Sequence, residues 1–180
     1  MKPTILILSL CMLTSNAYAQ FADPPWRYTF EKPADGWEQV NYDDTSWPTG
    51  LGGFGEYFTP GSRVRTPWLT NNIWIRRSVE LGAIPKNPAF YLYHEDDAVV
   101  FLNGQKVAEF KGYTNEYKVV PLDETAVAAV KQGTNLLAVH CIQGDGGQAI
   151  AYVSQGAKDH GISPGKFRKE NGRKAFDQIV

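Results

Sequence analysis

Apolar and polar residues alternate most clearly on both sides of an Asn-Gly dipeptide. Asn103-Gly104 lies between two runs that are rich in valine and phenylalanine. This dipeptide favours a two-residue type I′ turn, which needs positive φ at both central positions. The pattern therefore predicts a β-hairpin in which Leu102 faces Gln105, Val100 faces Val107 and Asp97 faces Phe110.

Residues 73–81 alternate in the same way, which predicts a half-buried strand. Arg77 falls on the apolar face of this strand, so its guanidinium would need a partner there. Two later apolar runs, Asn135 to Gln143 and Ala149 to Val153, predict further buried strands. The apolar face of the predicted strand at residues 73–81 comprises Ile73, Ile75, Val79 and Leu81.

Helical signals are scarce in this chain. Asp123 is a predicted N-cap for one short helix that extends to Val130 and is closed by Gly133. Residues 20–60 are rich in Trp, Pro, Gly and Asp, which indicates short strands joined by well-packed loops. The sequence as a whole predicts an all-β fold, an antiparallel β-sandwich with one short helix. We expect four tryptophans to be core or corner residues: Trp26, Trp37, Trp47 and Trp74.

The two ends of the chain differ in composition from the predicted sandwich. Lys2 and the apolar run Ile5 to Leu13 precede Ala17-Tyr18-Ala19, a pattern typical of a secretory signal peptide cleaved after Ala19. We therefore expect residues 1–19 to be removed and the protein to be secreted or periplasmic. Residues 20–157 would form the sandwich, and the basic stretch 158–180 a tail or linker.

Composition narrows the possible partners and chemistry. The chain has 180 residues, 43% of them hydrophobic, with 18 basic and 19 acidic side chains. This size supports one domain with a full core, and the charge balance does not indicate a nucleic-acid partner. The apolar run near the N-terminus is too short to span a bilayer, so no membrane insertion is expected. Cys141 would be the single cysteine of the exported chain, and its apolar surroundings predict a buried residue instead of a nucleophile.

Catalytic motifs are not evident in the sequence. His94, His140 and His160 are scattered, and Ser154-Gln155-Gly156 does not match a nucleophile elbow. The chain has enough carboxylates for a glycosidase pair, but no spacing places two of them across a cleft. We therefore expect no catalytic activity in this chain itself.

Several stretches resemble a known family. Glu95 to Gly104, Gly112-Tyr113 and Gly133 to Val139 are similar to segments of the galactose-binding-domain-like jelly roll, the sugar-binding accessory domain of family 2 glycoside hydrolases of the β-galactosidase type. Upstream, Tyr42 to Trp47 and Ile73 to Arg77 resemble a variant of that domain. The resemblance covers about residues 25–153. It implies a jelly roll that faces carbohydrate, acts as an accessory to glycan processing and carries no catalytic residues.

Sugar rings stack on aromatic side chains while polar side chains bond to their hydroxyl groups. Aromatic residues in loop-like segments and polar residues near strand ends are therefore the candidates. Trp68, between Pro67 and Leu69, is expected to be the exposed platform. Tyr57 and Phe58 lie in a similar segment. The candidate carbohydrate-binding residues are Trp68, Tyr113, His94, Asp96, Asp97, Arg76 and Gln143.

The acidic residues of this set have two interpretations. Asp96 and Asp97, with Glu95, could bind calcium, which takes six to eight oxygen ligands. Alternatively, the two aspartates cap backbone amides or pair with Arg76 or Arg77.

The expected partner is a glycan or a glycan-processing enzyme. The alternative is a structural or protein-interaction jelly roll that has no sugar site and whose basic tail contacts a partner. The identity of the sugar, the oligomeric state and whether the chain is part of a larger enzyme are left open by the sequence.

Overall fold

The computed structural model describes residues 24–152, and within this range it contains eleven strands and one helix. The predictions of a signal peptide in residues 1–19 and of a tail or linker in residues 158–180 lie outside the described residues. The strands are β1 (Trp26–Thr29), β2 (Thr49–Gly50), β3 (Phe54–Gly55), β4 (Thr66–Pro67), β5 (Asn72–Leu81), β6 (Ala89–Glu95), β7 (Asp97–Leu102), β8 (Gln105–Phe110), β9 (Lys118–Pro121), β10 (Gly133–Ile142) and β11 (Ala149–Tyr152); the helix is α1 (Glu124–Ala129).

The strands form two sheets, as the sandwich prediction requires. One sheet has the order β2-β1-β5-β10-β7-β8 and the other the order β4-β3-β11-β6-β9. Neighbouring strands are antiparallel except for the short pair β3 and β4, which is parallel. The prediction of an all-β sandwich with one short helix is therefore confirmed. No helix among residues 24–152 is long and apolar enough to cross a membrane.

The core lies between the inner faces of the two sheets. Alternate residues of each strand point inwards because successive side chains of a strand face opposite sides of the sheet. Arg77, on the inner face of β5, lies over the ring of Trp26 at 5.1 Å and donates a hydrogen bond to the carbonyl of Pro24. The partner that this residue was expected to need is therefore present. Buried core residues include Ile73, Ile75, Phe90, Leu92, Val100, Leu102, Val139, Cys141 and Ile150.

The predicted hairpin is formed by β7 and β8, but its register differs from the prediction. Asn103 and Gly104 have φ of 53° and 86°, as a type I′ turn requires. Leu102 pairs with Gln105 as expected, whereas Val100 pairs with Ala108 and not with Val107. Val107 is the extra residue of a β-bulge. Because the bulge shifts all later pairs, Phe110 pairs with Ala98 and not with Asp97.

The helix begins where the sequence predicts. The Asp123 carboxylate accepts a hydrogen bond from the backbone N–H of Ala126 at 2.8 Å. The helix ends at Ala129, earlier than expected, and Gly133 begins β10 with φ of +87° instead of closing the helix. Of the four tryptophans expected in the core or at corners, Trp37 is half-buried and the other three are buried.

A loop segment covers the outer face of the six-stranded sheet. This covering segment, residues 30–47, joins β1 to β2. The ring of Trp37 packs edge-on against Phe101 of β7 with centroids 5.5 Å apart. The side chain of Gln39 reaches the hairpin turn, where Nε2 donates to the carbonyl of Gly104. The outer face of the six-stranded sheet is therefore partly enclosed by this segment.

Candidate functional site

Five connections between strands meet at one end of the sandwich. They are residues 56–65, residues 68–71, the corner at Asp96, residues 111–117 and residues 143–148. Strand pairing brings them together because Ile142, at the end of β10, pairs with Asn72 at the start of β5 and with Asp97 at the start of β7. In the other sheet, Ala149 at the start of β11 pairs with Glu95 and Gly55, at the ends of β6 and β3. We call this group of five connections the loop end.

The two candidate aspartates attach neighbouring loops to the corner between β6 and β7. Asp96 Oδ2 accepts a hydrogen bond from the backbone N–H of Gly144. Asp97 accepts hydrogen bonds from Lys111 Nζ and from the backbone N–H of Gly112, each at 2.9 Å. These bonds hold the pKa of the Asp97 carboxyl below its usual value, the Lys111 bond having the largest effect. Both aspartates therefore cap backbone amides, and the cation beside them is Lys111, not Arg76 or Arg77.

His94 lies beneath this corner. Its imidazole is buried, and Nδ1 lies 2.8 Å from the carbonyl oxygen of Asp96. Because a carbonyl only accepts, Nδ1 donates, and the ring is held in one orientation. The ring also packs against Phe110, with centroids 5.0 Å apart. His94 therefore positions the acidic corner from below instead of facing solvent.

Trp68 is not an exposed platform, and that expectation is wrong. Its side chain is fully buried, with 0% exposure, and belongs to the main core. The preceding Pro67 pairs with Gly55 in the parallel β3–β4 ladder, and the Trp68 N–H donates to the carbonyl of Gly55 at 3.1 Å. This short ladder fixes the direction of the chain so that the indole enters the sandwich.

Arg76 is not at the loop end. It lies in the middle of β5, opposite Ala138 of β10, and only 3% of it is exposed. Its Nε donates to Asp44 Oδ2 at 2.7 Å, and its other nitrogens donate to backbone carbonyls of the covering segment: Trp37, Gln39 and Tyr42. Arg76 therefore anchors this segment to the sheet.

Gln143 and Gln148 organise the loops at the loop end. Gln143 Nε2 donates to the carbonyl of Gly147 at 2.8 Å, across the loop between β10 and β11. Gln148 Nε2 donates to the carbonyl of Thr70, and the Gln148 backbone exchanges two hydrogen bonds with the buried Thr59 hydroxyl. Three loops are thus linked by buried or half-buried polar contacts. Gln148 and Thr59 had no signal in the sequence, because each depends on a partner more than 70 residues away.

The loop end carries most of the strongly exposed large apolar side chains in the described part of the chain. Tyr113 is 70% exposed and Phe58 is 88% exposed, with Tyr57 and Leu69 also exposed. Tyr113 follows Gly112, whose N–H is bonded to Asp97, so its position is set by the acidic corner. The structure therefore brings together Tyr113, Asp96, Asp97, His94 and Gln143 of the predicted set. It adds Lys111 and Leu69, which sequence reasoning missed.

The side chains at the loop end do not form a recognisable metal centre. Among residues 24–152 there is no group of three or more His, Cys, Asp or Glu side chains that could hold a metal ion. The carboxylates of Asp96 and Asp97 already accept hydrogen bonds from backbone amides. The binding of calcium by Asp96 and Asp97 stays a prediction.

Cys141 lies below the loop end and is buried, as predicted. Its Sγ contacts the carbonyl oxygen of Glu95 at 3.5 Å. Burial raises the pKa of the thiol well above its usual value, and the nearby charge of Asp96 raises it further by a smaller amount. A thiol held in its neutral form is a poor nucleophile.

Comparison with known proteins gives a likeness of fold. No protein-family model and no curated protein matches this chain. Among solved structures, the chain is similar to a family 2 glycosyl hydrolase from Bacteroides cellulosilyticus, with 17% identity and a TM-score of 0.48 over 73% of this chain and 20% of that one. It is also similar to a β-glucuronidase of glycoside hydrolase family 2, with 18% identity and a TM-score of 0.46 over 68% of this chain and 13% of that one.

A third similar structure is a β-glycosidase from Bacteroides vulgatus, with 15% identity and a TM-score of 0.45 over 71% of this chain and 19% of that one. The chain thus spans a fifth or less of the length of these three structures. The resemblance to a β-sandwich domain of family 2 glycoside hydrolases, predicted from the motifs, is confirmed as a likeness of fold.

Proposed function

We propose that this chain is an exported accessory β-sandwich without catalytic activity of its own, and that it binds carbohydrate through the loop end. The observation that carries the proposal is the exposed side chain of Tyr113, two residues along the chain from Lys111, which forms an ion pair with Asp97. The apolar face of a sugar ring stacks on such an aromatic ring, and the neighbouring carboxylate and ammonium groups bond to sugar hydroxyls.

The contacts beneath the surface support a binding role. The Asp97 and Asp96 carboxylates accept hydrogen bonds from the backbone N–H groups of Gly112 and Gly144. The Gln148 side chain donates to the carbonyl of Thr70. Loops that are already ordered lose little conformational entropy when a ligand binds. The loop end therefore combines exposed rings with a pre-organised backbone.

Export is the second part of the proposal, and it is supported by the sequence pattern of residues 1–19. Expression in a bacterial host with N-terminal sequencing of the extracytoplasmic protein tests it. We expect a mature N-terminus at Gln20. Recovery of only the uncleaved chain inside the cell would contradict export and leave the binding proposal standing.

A glycan array tests binding, with Tyr113→Ala and Tyr113→Phe as a matched pair. The alanine variant removes the ring and should weaken retention by about fivefold or more, since stacking on one ring contributes about 1 kcal/mol or more. The phenylalanine variant keeps the ring and should bind like the parent protein. Ile84→Ala, at an exposed residue between β5 and β6, is the control for an unrelated surface change. Equal binding by the Ala and Phe variants would contradict the proposal.

The same array also tests the calcium prediction. It is run with calcium and again with a chelator, and loss of retention with the chelator supports calcium at Asp96 and Asp97. Retention that is unchanged by the chelator removes calcium from the proposal without affecting the role of Tyr113.

The alternative, a protein-interaction sandwich, is favoured by two apolar side chains of the loop end. Phe58 and Leu69 are strongly exposed, and exposed apolar side chains that lie together are typical of protein contacts. A blank array from folded protein would favour this alternative. Light scattering on the parent protein and on Phe58→Ser would then show whether a second copy of the chain is the partner.

A further inference from the structure

A cleft of about 330 Å³ lies far from the loop end, on the outer face of the six-stranded sheet. It is bounded by β1, β5 and β10 and by the part of the covering segment near Tyr42. Ser78, in its wall, is six residues along β5 from Asn72 at the loop end, which corresponds to about 20 Å. The cleft is therefore separate from the loop end. The inference drawn from it does not depend on the proposed function.

The lining of the cleft is rich in positive charge. Three arginines line it, together with a single carboxylate, that of Asp44. Two further acids lie near its rim, and each accepts a hydrogen bond from a threonine hydroxyl: Asp43 from Thr45 and Glu80 from Thr134. The wall itself therefore favours an anion.

Two of the three arginines have clear structural roles. Arg76 is buried and donates to Asp44 and to three backbone carbonyls. Arg77 packs on Trp26 and donates to the carbonyl of Pro24. Their charges contribute to the potential in the cleft, while their donors serve the fold.

Arg27 differs from the other two. Its Nη1 donates to the carbonyls of Thr45 and Trp47 at 3.2 and 3.1 Å, and its Nε lies 3.4 Å from Asp44 Oδ1. These contacts hold the plane of the guanidinium group. No hydrogen bond within residues 24–152 engages its Nη2, and 37% of the side chain is exposed. A rigid guanidinium with two available N–H groups is well suited to bind a carboxylate.

Hydroxyl groups complete the wall. Ser78 is exposed on the outer face of β5, and Tyr42 packs beneath the guanidinium of Arg76 at 5.3 Å. Neither hydroxyl makes a hydrogen bond to another residue in the range 24–152, so both are available to a ligand. Such groups bond to the hydroxyls of a polyhydroxylated molecule.

We propose that this cleft binds a hydroxylated carboxylate about the size of one sugar ring, with Arg27 Nη2 facing the carboxylate and Ser78 and Tyr42 facing ligand hydroxyls. A volume of about 330 Å³ lies at the small end of ligand pockets, which fits a single ring. The carboxylate of Asp44, beside Arg27, makes a single negative charge more favourable than a doubly charged phosphate.

Titration calorimetry on the full chain tests the proposal with D-galacturonate and D-glucuronate. D-galactose is the neutral control, and inorganic phosphate tests for a general oxyanion site. The matched variants are Ser78→Asp and Ser78→Asn, which are similar in shape and differ in charge. We expect Ser78→Asp to weaken hexuronate binding by about tenfold or more through repulsion, and Ser78→Asn to change it by less than about threefold.

Two further variants separate this site from the loop end and test Arg27 directly. Tyr113→Ala should leave hexuronate binding at the cleft unchanged, whatever the outcome of the glycan array. Arg27→Met should abolish binding, and thermal unfolding checks that the variant is folded. Equal binding of galactose, binding of phosphate as tight as that of the hexuronates, equal affinities of the two Ser78 variants or the absence of hexuronate binding would each overturn the proposal.

Discussion

The Nε of Arg76 lies 2.7 Å from Oδ2 of Asp44, and this ion pair joins the covering segment to the middle of the six-stranded sheet. Asp44 also lies 3.4 Å from Nε of Arg27, so one carboxylate serves two guanidinium groups. Arg76 is almost fully buried, whereas Asp44 is partly exposed. The pair therefore stabilises the fold by compensating a buried cation, and it also shapes the wall of the cleft.

Asp44→Asn should destabilise the protein, because the buried Arg76 guanidinium loses its charged acceptor. A hydrogen bond to a charged group contributes about 1.5–3 kcal/mol, so we expect a decrease of that size in the free energy of unfolding. Urea unfolding at neutral pH measures it. Asp43→Asn is the control and should have the smaller effect, because among residues 24–152 the Asp43 carboxylate is hydrogen-bonded only to Thr45, at the surface. Equal losses in the two variants would contradict the assigned role of Asp44.

Trp68→Ala should act on stability. The buried indole fills the core beside β3, so its removal should cost about 3–5 kcal/mol. Leu69→Ala, at the exposed neighbouring residue, should change stability by about 0.5 kcal/mol or less. Thermal and urea unfolding of both variants test the difference. A Trp68→Ala protein as stable as the parent would show that the indole is not a core residue.

Acidification should loosen the loop between β8 and β9. The pKa of Asp97 is lowered by Lys111 and by the Gly112 amide, so the contribution of these contacts is complete above the ordinary aspartate value of 3.8. It is lost as the pH falls through the lowered pKa. Unfolding temperatures of parent and Asp97→Asn proteins between about pH 5 and pH 2 should converge at the acid end. Asp35→Asn is the control variant. A difference in unfolding temperature between parent and Asp97→Asn that stays constant with pH would contradict the expectation.

His140 should make stability depend on pH in a higher pH range than Asp97 does. Its ring stacks on Trp74 with centroids 4.4 Å apart, and burial lowers the pKa of its imidazole below the usual 6.5. The folded state therefore favours the neutral ring, while the unfolded chain takes up a proton near pH 6.5. Stability should fall as the pH decreases below about 6.5, and His140→Gln should flatten this dependence. Thermal unfolding at several pH values measures it, and an equal slope in the variant would exclude His140 as the cause.

Local sequence predicted the turn between β7 and β8 and the start of the helix correctly. Asn103-Gly104 prefers positive φ, and Asp123 caps an amide three residues away, so both features depend on neighbours in the chain. The register beyond the turn was wrong because the bulge at Val107 depends on how β8 packs, which the turn dipeptide does not determine.

The candidate site was predicted only in part, because some of its features are local in the sequence and others depend on packing. Its acidic corner follows directly from the end of one strand and the start of the next, so His94, Asp96 and Asp97 were placed together correctly. The partners of these residues, Gly112 and Gly144, come from loops that only the paired sheets bring close.

The class of fold could be predicted from the sequence, because alternation of apolar residues and turn dipeptides are local properties. The exposure of individual side chains, in contrast, depends on the folded arrangement of the sheets and loops. Trp68 looks like a loop aromatic and is buried, since its neighbour Pro67 pairs with Gly55. Arg76 looks like a polar ligand and instead anchors a segment more than 30 residues away. Burial depends on contacts between distant parts of the chain, and no local pattern contains them.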